Sequence, residues 1–115
     1  MQRKFRLTRS EDFKRVRQSG KSYAHPLVVL VVQPNVTEKL RIGVTAAKTV
    51  GSAVRRNRAK RLLREVMRPL LPSLASGWDL ILVARPKLAN ATLADACDAV
   101  TILLNRAKLI SSYDP

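Results

Sequence analysis

Between Gly51 and Leu71 the sequence places two opposed demands on a single helix. Ala59, Leu62, Leu63, Val66, Met67 and Leu70 recur at the i, i+3, i+4 spacing of a core-facing stripe. At about 100° per residue, Asn57, Lys60, Arg61, Arg64 and Arg68 fall within one arc of roughly 100° on the other side. One face must be buried and the other cannot be, so the helix packs on a layer and turns its cations outward. Gly51 and Ser52 open it, and Pro69 and Pro72 end it near Leu71.

The layer it packs on is legible as apolar runs. Tyr23 to Val32 reads as β structure interrupted by Pro26, with a turn at Pro34 and Asn35. Leu40 to Ala46 is a further run, Ile42 and Val44 alternating with Gly43 and Thr45. Trp78 to Ala84 is continuously apolar apart from Asp79 and is bounded by Gly77 and Arg85-Pro86, the pattern of a central strand. Thr8, three residues before Glu11, has capping-box spacing and predicts a short helix, with Phe13 and Val16 on one face and Gly20 as its stop. A last helix is expected over about Thr92 to Lys108, with Leu93, Ala96, Cys97, Val100, Leu104 and Ala107 inward. Residues 1–7 read as a mobile basic arm and 109–115 as a tail. The expectation is one domain spanning 1–115, an α/β sandwich in the order α-β-β-β-α-β-α with helices packed on a sheet.

The charge points to a partner. The chain carries 22 Lys and Arg against 8 Asp and Glu, for a net charge of +14. The excess lies in two blocks: residues 1–21 hold eight basic and two acidic residues, and residues 39–68 hold ten basic and one acidic. Self-repulsion within each block opposes folding, and a polyanion relieves it. Nucleic acid is the leading candidate. An anionic membrane is a weaker one, because the apolar helix faces are needed for the core. The longest apolar run, Leu27 to Val32, is far shorter than the ~18 residues of a membrane span. The basic N-terminus lacks the apolar stretch of a signal peptide. The single cysteine, Cys97, excludes an internal disulfide and fits a reducing cytoplasm.

The run Arg55-Arg56-Asn57-Arg58-Ala59-Lys60-Arg61-Leu62-Leu63-Arg64 has six Arg or Lys among ten residues and no acidic residue within it for i, i+4 pairing. Arg55, Arg56 and Arg58 crowd the first turn, where the macrodipole disfavours cations by about 0.3–1 kcal/mol each. A solvated charged face would not be arranged this way. A phosphate sharing the helix N-terminus and the arginines reverses the sign. Arg is suited to this because its planar fork holds a phosphate bidentately, and Asn57 can donate and accept toward a ribose or base edge.

These residues resemble the arginine-rich motif of the bacterial ribonuclease P protein family, standing here as Arg56-Asn57-Arg58, Lys60-Arg61 and Arg64. The resemblance extends along nearly the whole chain. Arg6-Leu7, Glu11-Asp12-Phe13, Val16 and Gly20 resemble the family's first helix. Arg41-Ile42-Gly43-Val44 with Lys48, Gly51, Ala53 and Val54 resembles the strand and loop before the arginine helix, and Asp79-Leu80-Ile81 with Ala84-Arg85 its last strand. The resemblance implies a ribosomal-protein-like α/β sandwich whose helix crosses between parallel strands in the uncommon left-handed sense. It implies a protein subunit that helps a catalytic RNA remove the 5′ leader of precursor tRNA, with Mg²⁺ bound mainly by that RNA and no cofactor intrinsic to the protein. The implied partners are the RNA subunit, at 1:1, and precursor tRNA, with no membrane and no obligate protein partner. Arg55, Arg56, Asn57, Arg58, Lys60, Arg61, Arg64 and Arg68 are the expected RNA-subunit contacts. Phe5, Arg9, Phe13, Arg17, Val31, Lys48 and Arg85 are the expected leader contacts.

The residues allow no protein-borne nuclease site. One histidine, His25, and one cysteine cannot form a metal cluster or an acid–base His pair. Cys97 reads as core, His25 as a turn or strand-edge residue, Trp78 as packing, and Asp95 and Asp98 as dipole partners at a helix start. Single-stranded RNA is commonly held by aromatics beside cations, yet the chain has only two Phe, two Tyr and one Trp. Phe13 is the stacking candidate. Arg17 stands one turn on, where relatives carry a second aromatic, and Val31 stands where some carry Tyr. A ribosomal-type RNA-binding protein of the same fold and a DNA-binding module are the competing readings. The ordered motif set disfavours the first, and the burial of one face of the arginine helix disfavours the second.

Overall fold

A computed structural model of the chain describes residues 5–110; the rest of the arm and of the tail expected from the sequence lies outside them. The elements are α1 (Ser10–Ser19), β1 (Lys21–Ala24), β2 (Val28–Pro34), β3 (Arg41–Ala46), α2 (Ala53–Leu70), β4 (Trp78–Ala84) and α3 (Leu93–Arg106). This is the order read from the sequence. The four strands form one mixed sheet in the order β1-β2-β4-β3. β1–β2 and β2–β4 are antiparallel, whereas β3–β4, joined through α2, are parallel. β4 lies between β2 and β3 and is buried from Asp79 to Ala84, which is why its sequence is a continuous apolar run rather than an alternating one.

Strand alternation divides the side chains between two layers. Val28, Leu30 and Val32 of β2, Ile42 of β3 and Leu80, Leu82 and Ala84 of β4 form the main core with Ala59, Leu63, Val66 and Met67 of α2 and Ala96, Ala99, Val100, Leu103 and Leu104 of α3. The opposite face carries three rows set by the register: Gln33–Asp79–Arg41, Val31–Ile81–Gly43 and Val29–Val83–Thr45. There Val31, Ile81 and Val83 pack with Val16 of α1 and with Leu7. Phe13 lies on Gly43, where a Cβ would overlap its ring. A side chain at 43 would thus hold α1 off the sheet.

The first helix starts later than the capping-box spacing predicts. α1 begins at Ser10, and Arg9 occupies the N-cap without a side-chain cap bond. The Leu7 N–H donates to the Ile42 carbonyl at 2.8 Å and Arg6 bridges Ile42 in parallel, so the chain stays extended along the outer edge of β3. Leu7 is buried. Residues 5–7 are therefore held against the sheet and are no mobile arm, and they cover a strand edge that would otherwise be free to pair. α1 ends at Gly20, whose N–H bonds to the Val16 carbonyl. A Cβ there would stand 2.5 Å from Val16 O and 2.8 Å from Val31 Cγ1, so the sharp passage into β1 requires glycine.

In α2 the predicted stripe is confirmed, with Leu62 and Leu70 at its half-buried margin. Pro69 lies inside the helix, which runs on to Leu70. Pro69 and Glu65 both lie on the exposed side of the helix, where loss of one backbone hydrogen bond is least costly. α3 is capped by Thr92, whose Oγ1 accepts from the Asp95 N–H at 3.1 Å. Its buried stripe is Ala96, Ala99, Val100, Leu103 and Leu104. Leu93, expected inward, is exposed: it shares the azimuth of Val100 but sits in the first turn, where the packed layer ends. Cys97 and Ala107 are half-buried at the core margin.

Asp79 is the one buried charged residue among the described residues. Its carboxylate accepts from Arg15 Nη2 at 2.6 Å, from Arg41 Nε and Nη2 at 2.8 Å each, and from Asn35 Nδ2 at 2.9 Å. Arg15 also donates to Gln33 and reaches Asp12 at 3.3 Å. Burial pushes the Asp79 carboxyl up, but the hydrogen bonds from Arg41, Arg15 and Asn35 outweigh it and hold it below the ordinary value. The bonds to Asp79 likewise raise Arg15 and Arg41.

A depressed native value means that this stabilisation is complete above the unfolded Asp value of about 3.9 and is lost as pH falls through the native one. Asp79→Asn is therefore expected to lower stability at pH 7 by about 1–3 kcal/mol, since it removes the buried charge and leaves the two arginines only Asp12 as an anionic partner. Urea denaturation from pH 7 to pH 2 should show the gap between variant and wild type closing below about pH 4. A constant gap would contradict the ion-pair account.

Candidate nucleic-acid interface

The α2 arc begins at a turn built for it. Gly51 has φ +125°, and the Arg55 side chain lies 3.1 Å from where its Cβ would be. Arg55 Nε donates to the Val50 carbonyl at 3.1 Å, and the Arg55 N–H donates to Ser52 Oγ at 3.3 Å. Arg55 thus closes the turn as well as facing solvent. Asn57, Arg58, Arg61 and Arg68 are exposed, while Arg56, Lys60 and Arg64 are half-buried. Among the described residues none of these α2 cations has an ion-pair partner. Arg56 Nε is enclosed without a hydrogen-bond partner there. The helix therefore presents uncompensated guanidinium groups across successive turns, as its sequence implied.

Arg64 links this arc to the other face of the sheet. It lines a pocket of about 120 Å³ with Arg6, Leu7, Thr8, Phe13, Ile42, Gly43 and Val44. The arginine helix and the stacking candidate thus meet at one place, around the β3 edge. Neither Arg6 nor Thr8 was expected from the sequence to stand at an RNA contact. The signal was there in period two: with Leu7 buried, its two neighbours on an extended chain point away from the core.

From that pocket the α1 face opens progressively. In the Val31–Ile81–Gly43 row every residue is buried, whereas in the next row Val83 is 8% exposed and Val29 and Thr45 are half-buried. Arg17 is exposed on α1, one turn beyond Phe13. At the far end β3 and β4 finish side by side, tied by the Ala47 N–H to the Ala84 carbonyl at 3.1 Å. This brings Lys48 and Arg85, both exposed, to one rim. Arg9 is exposed at the start of α1, and its carbonyl caps Phe13 N–H at 3.1 Å.

Two expected leader contacts are placed elsewhere. Val31 is on the correct face but is 3% exposed, covered by Val16, so it is core and not surface. Phe5 is directed to the other side of the β3 edge, where it packs on the main core and lines a cavity with Leu40, Leu71 and Leu74. Its neighbour Arg6 takes the place beside Phe13. Tyr23, beneath the Lys21 ammonium, and Trp78 both pack at the margin of the main core, away from this face. Phe13 is left as the aromatic side chain of the α1 face among the described residues.

Among the described residues no group of three His, Cys, Asp or Glu side chains could hold a metal ion. The carboxylates on the α1 face, Asp12 and Asp79, are both engaged by arginines. No helix of the described residues is long and apolar enough to cross a membrane.

Comparison with known proteins identifies the family. Residues 1–108 match the family model described as Ribonuclease P. The chain is 41% identical over 111 residues to the ribonuclease P protein component of Chloroflexus aurantiacus, covering 96% of this chain and 82% of that one. It is 43% identical over 106 residues to that of Dehalococcoides mccartyi, covering 92% and 87%. Among solved structures, the RNase P protein of Staphylococcus aureus superposes with a TM-score of 0.81 at 27% identity, covering 93% of this chain and 98% of that one. That of Thermotoga maritima gives 0.77 at 28% identity, covering 88% and 96%. With a family model matched over residues 1–108 and relatives about 40% identical over nearly the whole chain, the chain belongs to the ribonuclease P protein family.

Proposed function

We propose that the chain is the protein subunit of ribonuclease P and that it holds two RNAs at once. The catalytic RNA docks on the exposed arc of α2, and the single-stranded 5′ leader of precursor tRNA lies on the α1 face of the sheet. The observation that carries this reading is the continuity of cations from α2 through Arg64 into the pocket that holds Phe13. A helix that served one RNA alone would have no reason to send a side chain round the sheet edge.

On α2, Arg58, Arg61 and Arg68 meet phosphates, with Asn57 on a sugar or base edge and Arg55, Arg56 and Lys60 beside them. The bound phosphates offset both the crowding of cations and their unfavourable position at the helix N-terminus. In the cleft, Phe13 stacks on a leader base and the Arg17 guanidinium supplies a second plane. Arg9, Lys48 and Arg85 neutralise the backbone. Val31 and Phe5 take no part.

The reaction is hydrolysis of one phosphodiester bond, releasing the leader and leaving the mature 5′ end. The RNA subunit would hold the Mg²⁺, which would supply activation of water and charge stabilisation of the leaving oxygen. The protein's share is to raise the occupancy of the correct substrate beside that centre, by positioning and by charge. One copy per RNA subunit in the cytoplasm suffices, with no further protein partner.

Arg58→Ala and Arg61→Ala are each expected to weaken binding to the RNA subunit and to lower the slope of log affinity against log salt by about 1. A filter-binding series across salt measures this, and unchanged slopes in both variants would remove α2 as the docking surface. Phe13→Ala is expected to weaken binding of precursor tRNA by about 1–3 kcal/mol, the range of one stacked base, while leaving mature tRNA unaffected. Equal losses for both tRNAs, or a collapsed denaturation transition, would assign Phe13 to packing instead.

A further inference from the structure

Beyond the rim formed by Lys48 and Arg85 the sheet ends in a second concavity. It has a volume of about 460 Å³ and is lined by Ala24, His25, Pro26, Arg85, Pro86 and Lys87. It is open to solvent on one side, so it can hold one flat group against its walls but does not enclose it. Arg85 is extended, with φ −98° and ψ 164°, so it continues the alternation of Asp79, Ile81 and Val83 onto the α1 face. The concavity therefore abuts the open end of the cleft. It lies three residues along the strands from the Phe13 row, or roughly 10 Å.

Its walls are preformed. His25 and Val28 exchange N–H···O=C bonds at 2.9 and 3.2 Å, and the Arg85 N–H donates to the Leu27 carbonyl at 3.0 Å. The Leu27 N–H donates to His25 Nδ1 at 3.1 Å, which leaves the proton of the neutral ring on Nε2. One Arg85 Nη donates to the His25 carbonyl at 3.2 Å, and Arg106 reaches the Ala24 carbonyl at 3.4 Å. Among the described residues, no carboxylate lies within ion-pair distance of Arg85, Lys87 or Arg106. Two proline rings and an imidazole thus line a rigid, mostly apolar hollow, with three uncompensated cations around it. A lone phosphate would have no use for the apolar walls, and an apolar peptide none for the cations. A nucleobase with its own phosphate uses both.

We propose that this hollow is a second nucleotide subsite for the leader, taking one unpaired base between Pro26, Pro86 and His25, with its phosphate on Arg85 and Lys87. It rests on the assignment of the α1 face to the leader and extends that face upstream. It also gives a chain with a single aromatic in its cleft another place to hold a base. Because the walls are held by backbone bonds, little ordering cost falls on binding.

The test uses the holoenzyme reconstituted with a ribonuclease P RNA and precursor tRNAs whose leaders lengthen one nucleotide at a time. The variants are Lys87→Ala and His25→Asn; the second keeps an acceptor for the Leu27 N–H while removing the ring. With wild type, affinity should rise first as the leader reaches Phe13 and again as it reaches the hollow. At the second rise His25→Asn should lose about fivefold or more, as expected for one stacked base, and Lys87→Ala should lose affinity with a salt slope lowered by about 1; neither should lose anything with shorter leaders or with the RNA subunit alone. Variants that match wild type at every length would overturn the subsite. Losses equal at all lengths, or weaker RNA-subunit binding, would overturn it in favour of contact with the catalytic RNA. No dependence on the leader at any length in wild type would overturn the leader assignment itself, and the subsite with it.

Discussion

A single buried carboxylate sets the geometry on which the rest depends. Asp79 stands at the start of the most buried strand, where an unpaired charge could not be sustained. Its partners come from α1 (Arg15), β3 (Arg41) and the β2–β3 loop (Asn35). One group therefore ties together a helix, two strands and a connection that are distant in sequence. Excellent geometry is needed for such a pair to offset its desolvation, and here every oxygen is hydrogen-bonded. The consequence for function is positional. The cluster lies in the first row of the α1 face, so α1 is anchored over that end, and the face opens toward Val29, Val83 and Thr45 at the other.

The same division explains how a chain of net charge +14 folds at all. The apolar surfaces of α2 and α3 are spent on one face of the sheet, leaving the cations to the periphery of the molecule. Among the described residues paired charge is confined to the Asp79 cluster, where it holds structure. Unpaired charge occupies the α2 arc, the β3 edge and the strand-end rim, where RNA can meet it. Arg55 shows how closely the two uses adjoin: its Nε closes the Gly51 turn while its neighbours Arg56, Asn57 and Arg58 begin the docking surface.

Much of this was legible in the sequence, for physical reasons. A strand buried on both sides must be continuously apolar, so β4 could be read to the residue, and a helix with one buried face must show its stripe, so α2 could be read with its cations. Local signals failed where a long-range contact outweighed them. The Thr8–Glu11 spacing lost to the Leu7–Ile42 hydrogen bond, which keeps the chain extended until Arg9. Val31 was placed on the right face by alternation, but nothing in a linear pattern says that Val16 covers it. Phe5 fell on the main-core side, and Arg6 beside Phe13, because the edge of β3 sets the direction of that segment. Asp79 was visible only as a polar residue within an apolar run. Its partners Arg15 and Arg41 are 64 and 38 residues away and carry no local mark.

The central claim is that this protein promotes a cleavage that RNA performs. Cleavage of a precursor tRNA at low Mg²⁺ by a bacterial ribonuclease P RNA, with and without the purified protein, tests it most directly. Strong stimulation of the RNA, with no cleavage by protein alone, is the predicted result. Tight binding to the RNA without any stimulation would contradict the account. The fold and charge architecture would stand, but the role in leader removal would not.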